Sequence, residues 1–477
     1  MWIPRYEKKD SFFKRLLNLK EQVLILRGAR QVGKTSFILD AFQELKDYPK
    51  VFVNFLYPSE MKLEGPVWDQ GKSGEASWDG NDNATYGRDF FGRSETGEEF
   101  LKNLLPKRSS LPERPLLVFI DEVDRYPIAM EAIQTLAQFS DQIKFVFTGS
   151  NLENMKVKNS ATGRKTYFDL YPITFYEFLQ ASPEKNLAQI YRHADFSNPF
   201  TQWQHNKLQV LFNDYLRIGG LPKIVSKYFD PDSETQDFPE MIADLVVTIE
   251  ENVKTVLEEK TKLYEYEDIL RKLAMLSLNT LKFTHLQTQH ANRSEAKKLV
   301  AKTVGARVAH KIRLFDSEKD LSKYILFDCG VLNYLLNGSD LLKNRIPEKN
   351  LAVLLENFVG NELIAHLTTR DDLFYWKSQN KAEIEFVLRS PYFVGIDVKS
   401  KVGNNKSLNS MAVFEEGIDC LVKVGHETLS FEEKHLAKLP NYGKKTSVPF
   451  LKIPHYLVSR LVELVGSHAL DPKAIRR

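Results

Sequence analysis

Cysteine is nearly absent from this sequence of 477 residues. The two that occur, Cys329 and Cys420, are too few for a disulfide framework or a cysteine-built zinc site, which fits a reducing compartment. Apolar runs near the ~20 residues that cross a bilayer are also lacking, so we expect no membrane span. Residues 1–5 do not show the apolar core of a signal peptide. We therefore predict a cytoplasmic protein.

An excess of charge of one sign is lacking as well. The 66 Lys and Arg residues are nearly balanced by 63 Asp and Glu, for a formal net charge of +3. Global charge therefore does not indicate nucleic acid as a partner, and any such prediction depends on local clusters. The chain does have apolar content, with 43% hydrophobic residues, and its length suits about three or four domains.

The most informative segment is Gly28-Ala29-Arg30-Gln31-Val32-Gly33-Lys34-Thr35, which matches the phosphate-loop pattern Gly-x-x-x-x-Gly-Lys-Ser/Thr. An apolar strand-like run, Val23 to Leu26, precedes it, and helical spacing of apolar residues follows it. Backbone N–H groups and a helix N-terminus can then face a phosphate. We predict that Gly28 to Ser36 bind ATP, with Lys34 at the β- and γ-phosphates and Thr35 on Mg²⁺. A glycine turn with a solvated lysine is the alternative.

A second apolar run, Leu116 to Ile120, leads directly into Asp121 and Glu122. A strand that ends this way can deliver one carboxylate to Mg²⁺, here Asp121, and place Glu122 to orient and deprotonate water. The alternative is an ordinary strand that meets its loop. Because the pair lies downstream of a phosphate loop, we predict the catalytic role.

A further strand-like run, Lys144 to Phe147, ends in Thr148-Gly149-Ser150. We predict that Ser150 hydrogen-bonds the γ-phosphate or the attacking water, and an ordinary turn is an equal alternative. Arg125 and Arg164 are candidate arginine fingers, with solvated arginines as the alternative.

The runs at 51–55, 116–120, 144–147 and 167–170 alternate with helical patterns, which predicts an α/β domain with a parallel sheet. Seven of the 23 glycines fall between residues 63 and 98, which we interpret as a flexible surface insertion. The predicted division is a P-loop ATPase domain at 1–175, a helical lid at 176–260, a small helical module at 261–340 and an α/β domain at 341–477.

Seven basic residues cluster between residues 291 and 313, in the third of these parts, against the single acidic residue Glu295 in that stretch. Arg293, Lys297, Lys298 and Lys302 are candidates for contact with the DNA backbone. A solvated helix face is the alternative.

The last part carries acidic residues at ordered positions. A helix is predicted at 351–367, followed by strands at 373–376, 383–388 and 395–399. Asp397 and Lys399 share one strand face, and Glu385 lies on the strand before it. This order resembles the PD-(D/E)xK nuclease fold, in which two carboxylates hold a divalent metal and the lysine helps to activate water. The metal ligands would be Glu385, Asp397 and a helical glutamate, Glu356 or Glu362.

One position departs from that resemblance, because Glu385 stands where an aspartate is usual. Its side chain is longer by one methylene, so the metal geometry differs. A β-hairpin with charges on an exposed face is the alternative.

Taken together, the segments resemble a large family of predicted prokaryotic AAA-like ATPases with a C-terminal domain of unknown function. The resemblance is carried by Ile3-Pro4-Arg5, the phosphate loop, Asp121 to Pro127, Thr148 to Ser150, Leu170 to Phe178 and Gly219 to Pro222. It implies an ATPase core, a helical lid from which Pro222 contacts nucleotide, and a winged-helix-like module.

Two hypotheses about function follow. In the first, ATP controls a C-terminal domain that cuts DNA with Glu385, Asp397 and Lys399. In the second, the chain is a regulatory switch that binds DNA or a protein partner without cleavage. Assembly into a homo-oligomer is a further expectation.

Overall fold

The structure is a computed structural model. It describes residues 3, 5–54, 68–70, 76–78, 84–86, 114–125, 129–130, 132–139, 141–149, 152, 163–232, 238–254, 263–288, 291–319, 321–338, 346–367, 372–379, 382–401, 403–435 and 447–469. Among these, none of the helices is both long enough and apolar enough to cross a membrane.

A parallel sheet forms the centre of the N-terminal part. The strands of this region are β1 (Val23–Arg27), β2 (Lys50–Asn54), β3 (Trp68–Gln70), β4 (Ala76–Trp78), β5 (Ala84–Tyr86), β6 (Leu116–Asp121), β7 (Ile143–Thr148) and β8 (Lys165–Asp169). Six of them form one sheet in the order β5-β2-β6-β7-β1-β8, and every pairing is parallel. β1, β6 and β7 consist almost entirely of buried residues, as a sheet covered on both faces requires. The predicted α/β fold of this part is confirmed.

The order of the strands decides which loops can meet. β7 lies between β1 and β6 and pairs with both. Because parallel strands end at the same edge, the loop after β1 and the carboxylates after β6 open on one side of the sheet.

The glycine-rich insertion contains strands that its composition does not predict. β3 and β4 form an antiparallel pair, and β5 joins the edge of the main sheet beside β2. The rest of residues 63–98 lies outside the described residues, so the predicted flexibility is untested.

The helices lie mainly in the middle of the chain. Those described are α1 (Tyr6–Leu17), α2 (Lys34–Glu44), α3 (Ile133–Leu136), α4 (Phe175–Ala181), α5 (Lys185–His193), α6 (Gln202–Ile218), α7 (Pro222–Tyr228), α8 (Phe238–Lys254), α9 (Leu263–Met275), α10 (Arg293–Gly305), α11 (Cys329–Asn337), α12 (Glu348–His366), α13 (Lys406–Phe414) and α14 (Leu461–Leu464). Thr174 and Thr201 begin α4 and α6 with capping boxes, in which side chain and backbone bond reciprocally.

A second sheet forms the C-terminal part. Its strands are β9 (Ala309–Leu314), β10 (Ser322–Leu326), β11 (Leu373–Lys377), β12 (Glu383–Leu388), β13 (Val394–Val398), β14 (Cys420–Gly425), β15 (Ser430–His435) and β16 (Ser447–Pro454). They lie in the order β10-β9-β11-β12-β13-β14-β16-β15. The β9–β10 hairpin pairs with β11 through β9. One sheet therefore crosses the boundary predicted at residue 340.

Aromatic side chains pack where the two halves of the chain meet. The ring of Phe175, the first residue of α4, lies edge-on to Phe212 of the helical region and Phe358 of α12. Tyr456, near the C-terminus, also packs against Phe175. Because these rings are buried, the hydrophobic core is continuous from the parallel sheet to the C-terminal part.

A buried ion pair secures the start of the chain to the same region. Arg5 donates to both carboxylate oxygens of Glu177 at 2.8 and 2.9 Å, and to the carbonyl of Tyr171 at 2.9 Å. Burial acts to raise the pKa of Glu177, but the charge and hydrogen bonds of Arg5 lower it below its usual value. Arg5 therefore connects the start of the chain to the segment Leu170–Phe178, and both segments carry the resemblance.

Candidate functional site

The loop between β1 and α2 has the backbone that a phosphate loop needs. Gly33 has φ of +83°, and Gln31 also lies in the left-handed region with φ of +71°. A Cβ atom at Gly28 would lie only 2.4 Å from the carbonyl oxygen of Leu170, so only glycine fits there. α2 begins at Lys34, directly after the loop, so its N-terminus faces the loop interior.

Lys34 lies inside this loop and is 8% exposed. Its Nζ atom donates to the carbonyl oxygens of Gly28 at 3.0 Å and Ala29 at 2.9 Å. Burial lowers the pKa of Lys34, and the charges of Glu122 and Asp121 oppose that effect. The side chain is thus held where a bound phosphate would meet it.

Thr35 and Asp121 bring two oxygen donors together from different elements. The Thr35 hydroxyl donates to Asp121 Oδ2 at 2.7 Å, and Glu122 N donates to Asp121 Oδ1 at 3.0 Å. Asp121 is almost fully buried, and burial raises its pKa to about 6. A hydroxyl and a carboxylate at this spacing are the donor types that Mg²⁺ prefers, so these residues fit the ion.

Glu122 adopts an unusual backbone conformation, with φ of +52°. Left-handed backbone at a residue other than glycine costs energy and is found disproportionately at functional sites. The 3₁₀ turn Val123–Arg125 follows it. Asp124 in this turn lies against the tip of β7, since a Cβ atom at Gly149 would be 2.4 Å from Asp124 Oδ1.

The predicted role of Ser150 cannot be placed, because this residue lies outside the described part of the chain. Its neighbour Thr148 is fully buried, and its hydroxyl has no hydrogen-bond partner among the described residues. Thr148 is thus a polar group at the tip of β7 that the sequence prediction passed over in favour of Ser150.

Pro222 reaches the loop from the helical region. It is the first residue of α7, and a Cβ atom on Gly33 would lie 3.3 Å from Pro222 Cγ. The structure therefore brings Pro222 to the phosphate loop, and its contact with nucleotide stays a prediction.

One of the two candidate arginine fingers, Arg164, is not brought to this site. Arg164 lies just before β8, at the amino end of the sheet, where it forms an ion pair with Glu21. The phosphate loop lies at the carboxyl end of the sheet, so Arg164 does not reach the phosphate loop of its own chain. The side chain of Arg125 lies outside the described part of the chain.

The C-terminal acidic residues also meet. The register of β12 and β13 pairs Phe386 with Ile396 and Val387 with Gly395, which sets Glu385 opposite Asp397. Val398 N donates to Glu385 Oε2 at 3.1 Å, and Lys399 Nζ donates to Asp397 Oδ1 at 2.7 Å. The predicted grouping of Glu385, Asp397 and Lys399 is therefore present.

Electrostatics within this group are dominated by burial. Asp397 is completely buried, and its Oδ2 atom has no hydrogen-bond partner in the described structure. Burial, together with the charges of Asp397 and Glu356, raises the pKa of Glu385 well above its usual value. Burial acts to lower the pKa of Lys399, but the hydrogen bond to Asp397 and the negative charges of the acidic group together raise it above its usual value.

The two helical glutamates left open by the sequence separate clearly. Burial raises the pKa of Glu356 to about 7, and the groups that interact with it include Lys399 and Asp397. Glu362 instead accepts a hydrogen bond from Phe175 N at 2.9 Å and does not approach the acidic group. The prediction of Glu362 as a metal ligand is therefore corrected, since its carboxylate caps the start of α4.

A metal centre is not preformed here. Among the described residues, no three His, Cys, Asp or Glu side chains are arranged to hold a metal ion. Lys399 occupies one oxygen of Asp397, and Val398 N occupies one oxygen of Glu385. The residues have suitable chemistry for a divalent cation, but their present arrangement does not fit one.

Sequence reasoning missed one lysine near this group. Lys323 of β10 is 2% exposed and its Nζ lies 2.5 Å from Glu383 Oε1, while Lys377 binds the other oxygen of Glu383 at 3.0 Å. Lys323 also interacts electrostatically with Glu356. Its position beside the apolar run Tyr324 to Phe327 was the available signal, because buried lysine normally requires a carboxylate partner.

The basic helix is exposed. Arg293, Lys297 and Lys298 of α10 face solvent, and Lys302 is half-buried. Asn292 caps the helix by accepting from Ser294 N and Glu295 N at 2.9 and 3.2 Å. Contact with DNA stays a prediction.

Comparisons with known proteins give two matches to family models. Residues 82–179 match a model described as an AAA domain, and residues 353–442 match a domain of unknown function, DUF4143. Residues 82–179 are thus similar to an AAA domain, and residues 353–442 are similar to that second domain. The first match contains Asp121 and Glu122 but begins after the phosphate loop.

No curated protein matches the chain in sequence. Among solved structures, "Structure of Drosophila ORC bound to DNA" is similar with a TM-score of 0.25 at 9% identity, over 70% of this chain and 87% of that one. "Structure of Drosophila ORC bound to AT-rich DNA and Cdc6" gives a TM-score of 0.23 at 11% identity, over 68% and 89%. Similarity at this level carries no functional argument.

Proposed function

We propose that this protein binds and hydrolyses ATP between the β1–α2 loop and the end of β6, and that its nucleotide state controls the C-terminal domain. The observation that carries the proposal is the 2.7 Å contact between Thr35 and Asp121 beside the buried Lys34. The AAA-domain match over residues 82–179 supports it independently.

Each residue has a defined task in this reaction. The loop N–H groups and Lys34 hold the phosphates, and Thr35 and Asp121 would hold Mg²⁺, which neutralises charge on them. Glu122 follows Asp121 and accepts a proton from the attacking water. Pro222 packs against the phosphate loop from the helical region, so a change in the conformation of the loop on nucleotide binding would move α7.

The test is ATP hydrolysis by the purified chain, with and without duplex DNA. Lys34→Ala is expected to abolish ATP binding and ATP turnover, because it removes the ammonium group that contacts the phosphates. Lys46→Ala is the matched control, since Lys46 is an exposed lysine just beyond the far end of α2. Equal turnover in wild type and Lys34→Ala would contradict the proposal.

DNA in the same assay separates the roles of the C-terminal domain. Stimulation of hydrolysis by DNA that is lost in Lys34→Ala supports a DNA-acting machine. Hydrolysis that ignores DNA supports a regulatory switch with a protein partner.

Cleavage of phosphodiester bonds is the second candidate function. It is favoured by the Oδ2 atom of Asp397, which has no hydrogen-bond partner among the described residues and lies beside Glu385 and Lys399 in a buried setting. Glu385 and Asp397 would hold a divalent cation only in a different arrangement, in which Lys399 does not bond to Asp397. The expected result is DNA cleavage that needs Mg²⁺ or Mn²⁺ and is lost in Lys399→Ala. ATP-dependent DNA affinity without cleavage would leave only the switch.

A further inference from the structure

A buried carboxylate connects the segment that carries Pro222 to the C-terminal half of the molecule. Asp328 lies between β10 and α11 and is 2% exposed. Its Oδ2 atom accepts from Gly220 N at 2.7 Å, and its Oδ1 atom accepts from Val331 N at 2.9 Å. One side chain therefore caps α11 and also holds the turn before α7.

This turn is shaped to receive the carboxylate. Gly219 has φ of +76°, and a Cβ atom there would lie 2.2 Å from Asp328 Oδ1. On its other side, the carbonyl of Gly220 accepts from Ile173 N at 2.7 Å. Gly220 is thus clamped between the segment that follows β8 and the residue that begins α11.

The position of Pro222 depends on that clamp. Pro222 follows Gly220 by two residues and lies against Gly33 of the phosphate loop. Because the proline ring fixes its own φ, its placement on the loop is set mainly by where the preceding turn is held. Asp328 does not touch the loop, so any effect on nucleotide must pass through this turn.

We propose that Asp328 is a positioning residue of the nucleotide site, which sets Pro222 on the phosphate loop and makes ATP affinity depend on how the C-terminal half is docked. The inference rests on the proposed ATP-binding function and adds a residue to it from outside the ATPase domain. Neither family match includes Asp328.

Hydrogen bonds continue from this point to the C-terminal domain. Leu326, two residues before Asp328, donates its N–H to Asn357 Oδ1 and accepts from Asn361 Nδ2, both at 2.8 Å. Asn357 is completely buried and follows Glu356, the helical glutamate of the acidic group. A shift of α12 would therefore move the residue that holds Gly220, and linkage makes the effect reciprocal.

The test is ATP affinity of the full chain, measured by titration with a fluorescent ATP analogue. Asp328→Asn keeps the size of the side chain but places an NH₂ group against one backbone N–H, so one hydrogen bond is lost. We expect a loss of affinity of about tenfold, the effect of one buried hydrogen bond to a charged group. Pro222→Ala should weaken binding similarly, and the double variant should be no weaker than either one.

A matched control removes a cap elsewhere. Asn292→Ala deletes the two bonds that begin α10 without touching the turn or the loop. It should lower thermal stability as Asp328→Asn does, with ATP affinity unchanged. In the wild-type chain, ATP should also slow hydrogen exchange at 326–333 and 354–361, which requires no variant to fold.

The outcomes separate this inference from the proposed function. If wild type and Lys34→Ala fail to bind ATP alike, both ideas are wrong. If only Lys34→Ala fails while Asp328→Asn binds as wild type does, the positioning role alone is wrong. Additive effects of Asp328→Asn and Pro222→Ala, or unchanged exchange at 326–333 with ATP bound, would also overturn it.

Discussion

Replacing Glu122 with glycine should make the protein more stable and at the same time inactive as an ATPase. Glu122 has φ of +52°, in the left-handed region that residues with a Cβ atom disfavour by about 1–2 kcal/mol. Glycine relieves this strain but loses about 0.5–1 kcal/mol more backbone entropy on folding. The difference raises the free energy of unfolding of Glu122→Gly by about 0.5–1 kcal/mol. Little packing is lost, because the side chain of Glu122 is only partly buried.

Turnover should change in the opposite direction. Removal of Glu122, which we propose to orient and deprotonate water, is expected to lower turnover ~10²–10⁴-fold. Glu122→Gln retains the Cβ atom and therefore the backbone strain at this position. It should lose turnover without becoming more stable. Both variants should bind ATP as wild type does, because the loop and Lys34 are intact.

Glu21 provides the matched control for strain. It has φ of +48° in an exposed turn at the amino end of the sheet, away from the loop. Glu21→Gly should raise the apparent Tm by about 1 °C at most, because loss of the exposed ion pair with Arg164 offsets part of the gain, and it should leave ATP hydrolysis unchanged. Thermal unfolding and a phosphate-release assay measure the two effects. Destabilisation by Glu122→Gly together with stabilisation by Glu21→Gly would refute the strain argument, and wild-type turnover in Glu122→Gln would refute the catalytic one.

Two further predictions concern the C-terminal half. Burial raises the pKa of the Glu362 carboxyl from 4.5 to about 8. The contribution of Glu362 to stability is therefore present at low pH and is lost as the pH rises towards 8. Glu362→Gln should be more stable than wild type at pH 8, by up to about 4 kcal/mol, and should differ little from it at pH 4.5. Chemical unfolding at the two pH values measures this, and parallel profiles would show that Glu362 is ionised in the fold. Lys297→Ala and Lys298→Ala should each weaken binding to duplex DNA and reduce by about one the slope of log affinity against log salt concentration. Lys185→Ala on α5 is the control and should change neither quantity. Slopes equal to that of wild type would exclude α10 from the DNA contact.

Local sequence signals predicted the strands that flank the candidate nucleotide site. β1, β6 and β7 appear within one or two residues of the predicted runs, because a buried strand is a short apolar run whose ends are marked by polar residues. The glycines of the loop and the acidic pair after β6 are likewise local patterns. Strand order then brings them together without any further information from the sequence.

What the sequence did not reveal depends on contacts distant along the chain. Nothing in β9 indicates that it pairs with β11, some 60 residues further on. Glu356 and Glu362 lie six residues apart on one helix and look equivalent, yet only docking against α4 directs Glu362 to Phe175 N. The position of Arg164 is also non-local, because it depends on the pairing of β8 with β1.

The charged residue at the end of β8, Asp169, forms contacts that connect the N-terminal and C-terminal halves of the chain. Asp169 binds Arg27, the residue before the phosphate loop, at 2.8 Å, and Arg307, just before β9, at 3.1 Å. Arg307 is 4% exposed, and a buried charge is costly unless its partner is retained, so such pairs fix geometry more than they add stability. The loop is therefore connected to the C-terminal sheet on two sides, through Asp169 and through Asp328. A nucleotide-driven movement of the loop that kept both contacts would have to carry β9 and α11 with it, which is the physical basis for expecting ATP to be sensed at the C-terminal domain.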